Sequence, residues 1–121
     1  MKKKGIKIHY RTKMLHFAIY DYTIHFVETD DFTLALQHAK LNAPPRDRSF
    51  TQGMTWNSND RTSSYIFLSP KTPINVLVHE CWHAVYRMLD SRGICVDDEV
   101  IAYTLDFTVK MATGFYGTYK A

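Results

Sequence analysis

"INVLVHECWHAVYRMLD", residues 74–90, is the stretch that decides how this chain folds. Ile74, Leu77, Val78, Cys81, Val85, Met88 and Leu89 recur at helical spacing, which predicts a helix with one apolar face in the core. Thr72 precedes it as an N-cap, Pro73 suits the first helical position, and Gly93 ends the helix. The same segment carries His79, Glu80 and His83 among its apolar positions.

Histidines four residues apart stack on one helix face, one turn from each other. That spacing lets two imidazoles bind one tetrahedral Zn2+ at about 2.0–2.1 Å each. Glu80 is displaced around the helix axis, so it is badly aligned as a third equivalent ligand. It can instead reach a water held by the metal, whose pKa zinc lowers to roughly 7, and take its proton as the water attacks a carbonyl. This is the chemical content of H-E-x-x-H. The alternative is a pair of core histidines beside a helix-surface glutamate. With six His and three Glu in 121 residues, a chance match somewhere in the chain has a probability of roughly one per cent, so the metal reading is preferred.

A catalytic zinc takes a third protein ligand and keeps one open position. Asp97, Asp98, Glu99 and Asp106 are the downstream candidates. Glu99 is preferred, because Asp97 and Asp98 already serve the dipole of the helix that follows. Ala102, Tyr103 and Asp106 share its face, with Tyr103 and Asp106 suited to hydrogen-bond the ligating histidines. His9, His16, His25 and His38 fall on strands or the early helix and are not expected to bind metal.

Outward from this helix, "KGIKIHY" and "MLHFAIYDYTIHFVET" read as strands with a tight turn near Asp21. "TDDFTLALQHAKLN" reads as a short helix capped by Thr29 or Asp30 and ended by "APPRDR". A hairpin follows, with strands through Met54 and Trp56 and from Tyr65 to Leu68 and a turn at 57–60. A last helix starts at Asp97 or Asp98 and runs to about Met111, before Gly114. The order predicts one α+β domain over 1–121: a few-stranded, mostly antiparallel sheet packed on the motif helix and a second C-terminal helix.

Composition narrows the function classes. The chain is 45% apolar, which fits a globular domain, and no apolar run has the length of a membrane span. The net charge is +3, part of it from Lys2, Lys3 and Lys4. A basic nucleic-acid binder using these with Arg46, Arg48 and Arg61 has weak support, because no wider basic block accompanies them. The start lacks an apolar h-region, so no secretory leader is expected. Cys81 and Cys95 lack zinc-pair spacing and read as reduced thiols of a cytoplasmic protein. There are nine Asp but three Glu, and two of those, Glu80 and Glu99, lie in or just after the motif helix.

"HECWH" followed by "DDEVIAY" resembles the zincin metallopeptidases, in the gluzincin branch, where a Glu on the next helix is the third zinc ligand. It looks most like the very small members found in phages and mobile elements, and more loosely like minimal SprT-like and repressor-cleaving peptidases. The resemblance covers roughly residues 62–110, and HExxH is its specific part. It implies a zincin-like fold with one Zn2+ per chain, His79, His83 and Glu99 as ligands, and Glu80 as general base. Tyr103, Tyr86 or a tail tyrosine would stabilise the oxyanion. It implies cleavage of one or a few intracellular proteins, in the cytoplasm of a bacterial host if phage-encoded. The strand from Ser63 to Ser69 would be the edge that holds an extended substrate peptide. The chain departs from larger gluzincins in having Tyr103 where they place an acidic residue, and in its short stretch after Glu99. The other reading is a non-catalytic binding protein on a zincin scaffold, with a structural or vestigial metal site.

Overall fold

The computed structural model describes residues 9–38, 53–94 and 97–116. They form an α+β unit with four strands and three helices: β1 (Tyr10–Phe17), β2 (Tyr22–Thr29), α1 (Phe32–His38), β3 (Gly53–Asn57), β4 (Ser63–Leu68), α2 (Ile74–Ser91) and α3 (Asp98–Tyr116). The strands make one mixed sheet in the order β1-β2-β4-β3. β1 and β2 form an antiparallel hairpin in which Phe17 faces Tyr22. Its turn has Asp21 at φ 49°, the left-handed region that Asp tolerates better than most side chains. β3 and β4 pair antiparallel, and β2 and β4 run parallel, with Glu28 opposite Leu68.

The expected hairpins and the motif helix are present, but β4 is not an edge. It pairs with β2 on one side and β3 on the other, so the strand from Ser63 to Ser69 cannot receive a substrate strand. Among the described residues the outer strand on that side is β3. The sequence carries the physical reason: Ile66, Phe67 and Leu68 are all buried, with no polar alternation, as in strands covered on both faces.

α2 and α3 cover one sheet face. Leu77, Cys81, Ala84 and Met88 from α2 meet Ile24, Phe26, Ile66 and Leu68 from the sheet and Ala112 and Tyr116 from α3. Burial pushes the Cys81 thiol up to about 12, so it is a buried small side chain in its thiol form. α1 covers part of the opposite face, where Phe32, Ala35 and Leu36 pack on Val27, Met54 and Phe67. The remainder of the early helix, the strand residues before His9, and Cys95 lie outside the described residues.

Two details of the helices differ from the sequence reading. Pro73 takes the N-cap position with extended backbone, and Thr72 instead accepts a hydrogen bond from the Ser69 N–H inside the preceding turn. Ile74 is then exposed, while Val76 packs against the core. α3 continues through Gly114 to Tyr116, because the Tyr116 ring is anchored in the sheet: its hydroxyl donates to Ile66 O at 2.9 Å and accepts from Val27 N–H at 3.1 Å. Arg11 holds the same end, donating to Phe115 O at 2.9 Å and to buried Glu28 at 2.9 Å. None of the described helices is long and apolar enough to cross a membrane.

Candidate metal centre

α2 turns its core face to the sheet, leaving His79 exposed and His83 half-buried on a neighbouring stripe. Their Nε2 atoms converge to 3.1 Å, with ring planes at 88°. Two ligands at about 2.0–2.1 Å from one ion, at a tetrahedral angle, stand about 3.4 Å apart. The Nε2–Nε2 separation is therefore close to that of two ligands on one ion and would fit half of a zinc site with a slight opening. In the absence of an ion the same distance allows one imidazole N–H to donate to the other ring.

Glu80 lies around the helix from the histidines, on the side of β3. It is 7% exposed, and its carboxylate has a specific partner: Thr55 Oγ1 donates to Oε1 at 2.6 Å and lies 3.1 Å from the main-chain O of Glu80. Thr55 sits in the middle of β3, opposite Ile66. At Gly53, β3 lies close to both β4 and α2. A Cβ on Gly53 would stand 2.5 Å from Leu68 Cδ2, 3.1 Å from Val76 Cγ1 and 3.3 Å from Glu80 Cγ. Sequence reasoning found Glu80 but missed Thr55 and Gly53. Their only local signal was a glycine and a β-branched hydroxyl on a short strand.

The structure does not bring Glu99 to the histidines. Arg92, just past the end of α2, donates from Nε to Tyr20 O at 2.6 Å and from Nη2 to Asp21 O at 2.7 Å, which fixes that end at the β1–β2 turn. Phe107 of α3 packs on Phe17 beside the same turn, with ring centroids 6.0 Å apart. From there α3 descends to Tyr116 at the other end of the sheet, and its buried residues are Thr108, Ala112 and Tyr116. The turns before Phe107, carrying Glu99, Ala102, Tyr103 and Asp106, therefore rise past the end of α2. His83 lies about 12 Å of helix rise below Ser91. Glu99 and Asp106 are exposed, and Tyr103 is among the most exposed aromatic side chains. Among the described residues no group of three or more His, Cys, Asp and Glu side chains is placed to hold a metal.

Tyr103, one turn on from Glu99, is exposed on α3. Tyr86, the other candidate for an oxyanion, is three residues beyond His83 on the exposed side of α2 and packs against Trp82 with ring centroids 5.6 Å apart. Tyr116 is buried and engaged with the sheet, which removes it from that role. Tyr119 lies outside the described residues. His9 Nε2 donates to the Glu28 carboxylate at 2.6 Å, His16 pairs with Thr23 at 2.8 Å, and His25 stacks on Tyr65.

No family model matches the chain, and comparison with curated proteins and with solved structures returns no match to either.

Proposed function

We propose that the chain is a zinc-dependent peptidase of the HExxH kind, acting on one or a few proteins in the cytoplasm, with His79 and His83 as metal ligands and Glu80 as general base. The observation that carries the reading is the approach of the two Nε2 atoms to 3.1 Å on one stripe of α2, with Glu80 next to His79 in sequence and its carboxylate held toward β3 by Thr55. A zinc ion bound there supplies Lewis acidity and a water that is easily deprotonated at neutral pH.

The chain's own groups divide the remaining work. His79 and His83 bring two imidazole nitrogens close enough to share one ion. Glu80, ionised, accepts a proton and can return it to the leaving amine. β3, as the outer strand beside Glu80, is suited to hold a substrate in extended form by added backbone hydrogen bonds, in place of β4. Glu99 remains the candidate third ligand only if the first turns of α3 move over α2 when the ion binds.

The exposed position of Glu99 favours a second reading, a binding protein on this scaffold whose histidine pair holds a structural metal or none. Glu80→Gln separates the two. For a peptidase, zinc-supplied wild-type chain cuts casein used as an unstructured probe, and Glu80→Gln lowers the rate about 10²–10⁴-fold while keeping its zinc. Equal behaviour of the two proteins would sink the catalytic role of Glu80 and leave the binding reading.

A further inference from the structure

The mechanism above uses Glu80 but does not explain what fixes its carboxylate. A glutamate has three rotatable bonds, and a general base works only when its oxygen is held in reach of the proton it takes. On α2, the neighbours of Glu80 toward the core are apolar: Leu77, Cys81 and Ala84 are fully buried. Its polar contact comes from outside the helix, from Thr55 on β3.

We infer that Thr55 is a positioning residue for Glu80, an inference that rests on the peptidase reading. The Thr55 hydroxyl carries one proton, and the shorter contact, 2.6 Å to Oε1, is where it goes. One carboxylate oxygen is thereby tied to the sheet, and Oε2 is left for the reacting proton. Thr suits the task because its β-branch limits χ1 on a strand, so the hydroxyl is fixed by the backbone of β3. The strand is in turn fixed by its pairing with β4, and it passes α2 so closely at Gly53 that an added Cβ would stand 3.3 Å from Glu80 Cγ. The same Thr55 Oγ1 lies 3.1 Å from the main-chain O of Glu80, so β3 and α2 approach closely at this point. The strand best placed to receive a substrate therefore also sets the orientation of the base.

The test compares wild type, Thr55→Val and Thr55→Ser, each supplied with zinc, by zinc content, by kinetics on casein as an unstructured probe, and by crystal structure. The expected result is a fall in kcat of about tenfold for Thr55→Val with KM and zinc content unchanged, recovery in Thr55→Ser, and a displaced Glu80 carboxylate in the Thr55→Val crystal structure. Wild-type kcat in Thr55→Val would overturn the inference, as would a change confined to KM. If the wild type binds zinc but does not cut casein, the peptidase reading fails on that probe, and the crystal structures still decide the role of Thr55. A Glu80 carboxylate that keeps its place in Thr55→Val overturns it, and one that is displaced in Thr55→Val and restored in Thr55→Ser upholds it.

Discussion

The Nε2 atoms of His79 and His83 stand 3.1 Å apart on successive turns of α2. A single ion can take both only if both rings are neutral and keep these rotamers. His79→Ala and His83→Ala are each expected to weaken zinc binding by at least about a hundredfold, since loss of even an outer-shell partner costs 10–100-fold. Competition against a chelator of known affinity measures this. An equal affinity in either variant would remove the pair from the site.

Glu99 behaves differently in this account. Because α3 rises past the end of α2 before Phe107, Glu99→Gln is expected to change zinc affinity by less than about threefold, far below the loss for a ligand. The same chelator competition reads it. A loss equal to that of His79→Ala would mean that α3 swings over the histidines in the metal-bound chain.

Gly53 lies where β3 packs close to both β4 and α2. Gly53→Ala would push a Cβ to within 2.5 Å of Leu68 Cδ2 and 3.1 Å of Val76 Cγ1, both on packed side chains. The expected loss is about 1–3 kcal/mol, the usual range for overpacking. Denaturant unfolding at constant m-value checks it, and an unchanged midpoint would show that β3 can move away from α2.

On the opposite face of the sheet, His25 stacks on Tyr65 with ring centroids 4.2 Å apart and planes 6° from parallel. Burial holds its pKa below the ordinary 6.5. The folded chain thus resists protonation more than the unfolded one. No stability is lost above about pH 6.5, and stability falls as the pH drops below it. His25→Phe, which keeps a ring against Tyr65, is expected to flatten that acid-side loss. Unfolding midpoints at pH 7.5 and pH 5.5 for both proteins test it.

The elements that local pattern encodes were legible in the sequence: the Asp21 turn, the Met54–Leu68 hairpin, and α2 with its three chemical residues. Strand order was not. β4 lies between β2 and β3, so the parallel pairing with β2 depends on a crossover through α1 that no local spacing records. The run Ile66-Phe67-Leu68 did contain the cue to a central strand, since a one-sided edge would alternate. The placement of Glu99 was not legible for a related reason. Its helical phase was readable from the sequence, but the axial offset between α2 and α3 is set by Arg92, Phe107 and Tyr116 gripping distant parts of the sheet. Thr55 escaped notice because its partner Glu80 is 25 residues away.

The central claim is that α2 carries a metal centre, and metal analysis of the purified full chain after zinc is supplied and excess removed tests it most directly. The account predicts about one zinc per chain in the wild type and in Glu80→Gln, and a loss of zinc in His79→Ala and His83→Ala. A wild-type chain that retains no zinc, or one whose zinc survives removal of both histidines, would contradict it.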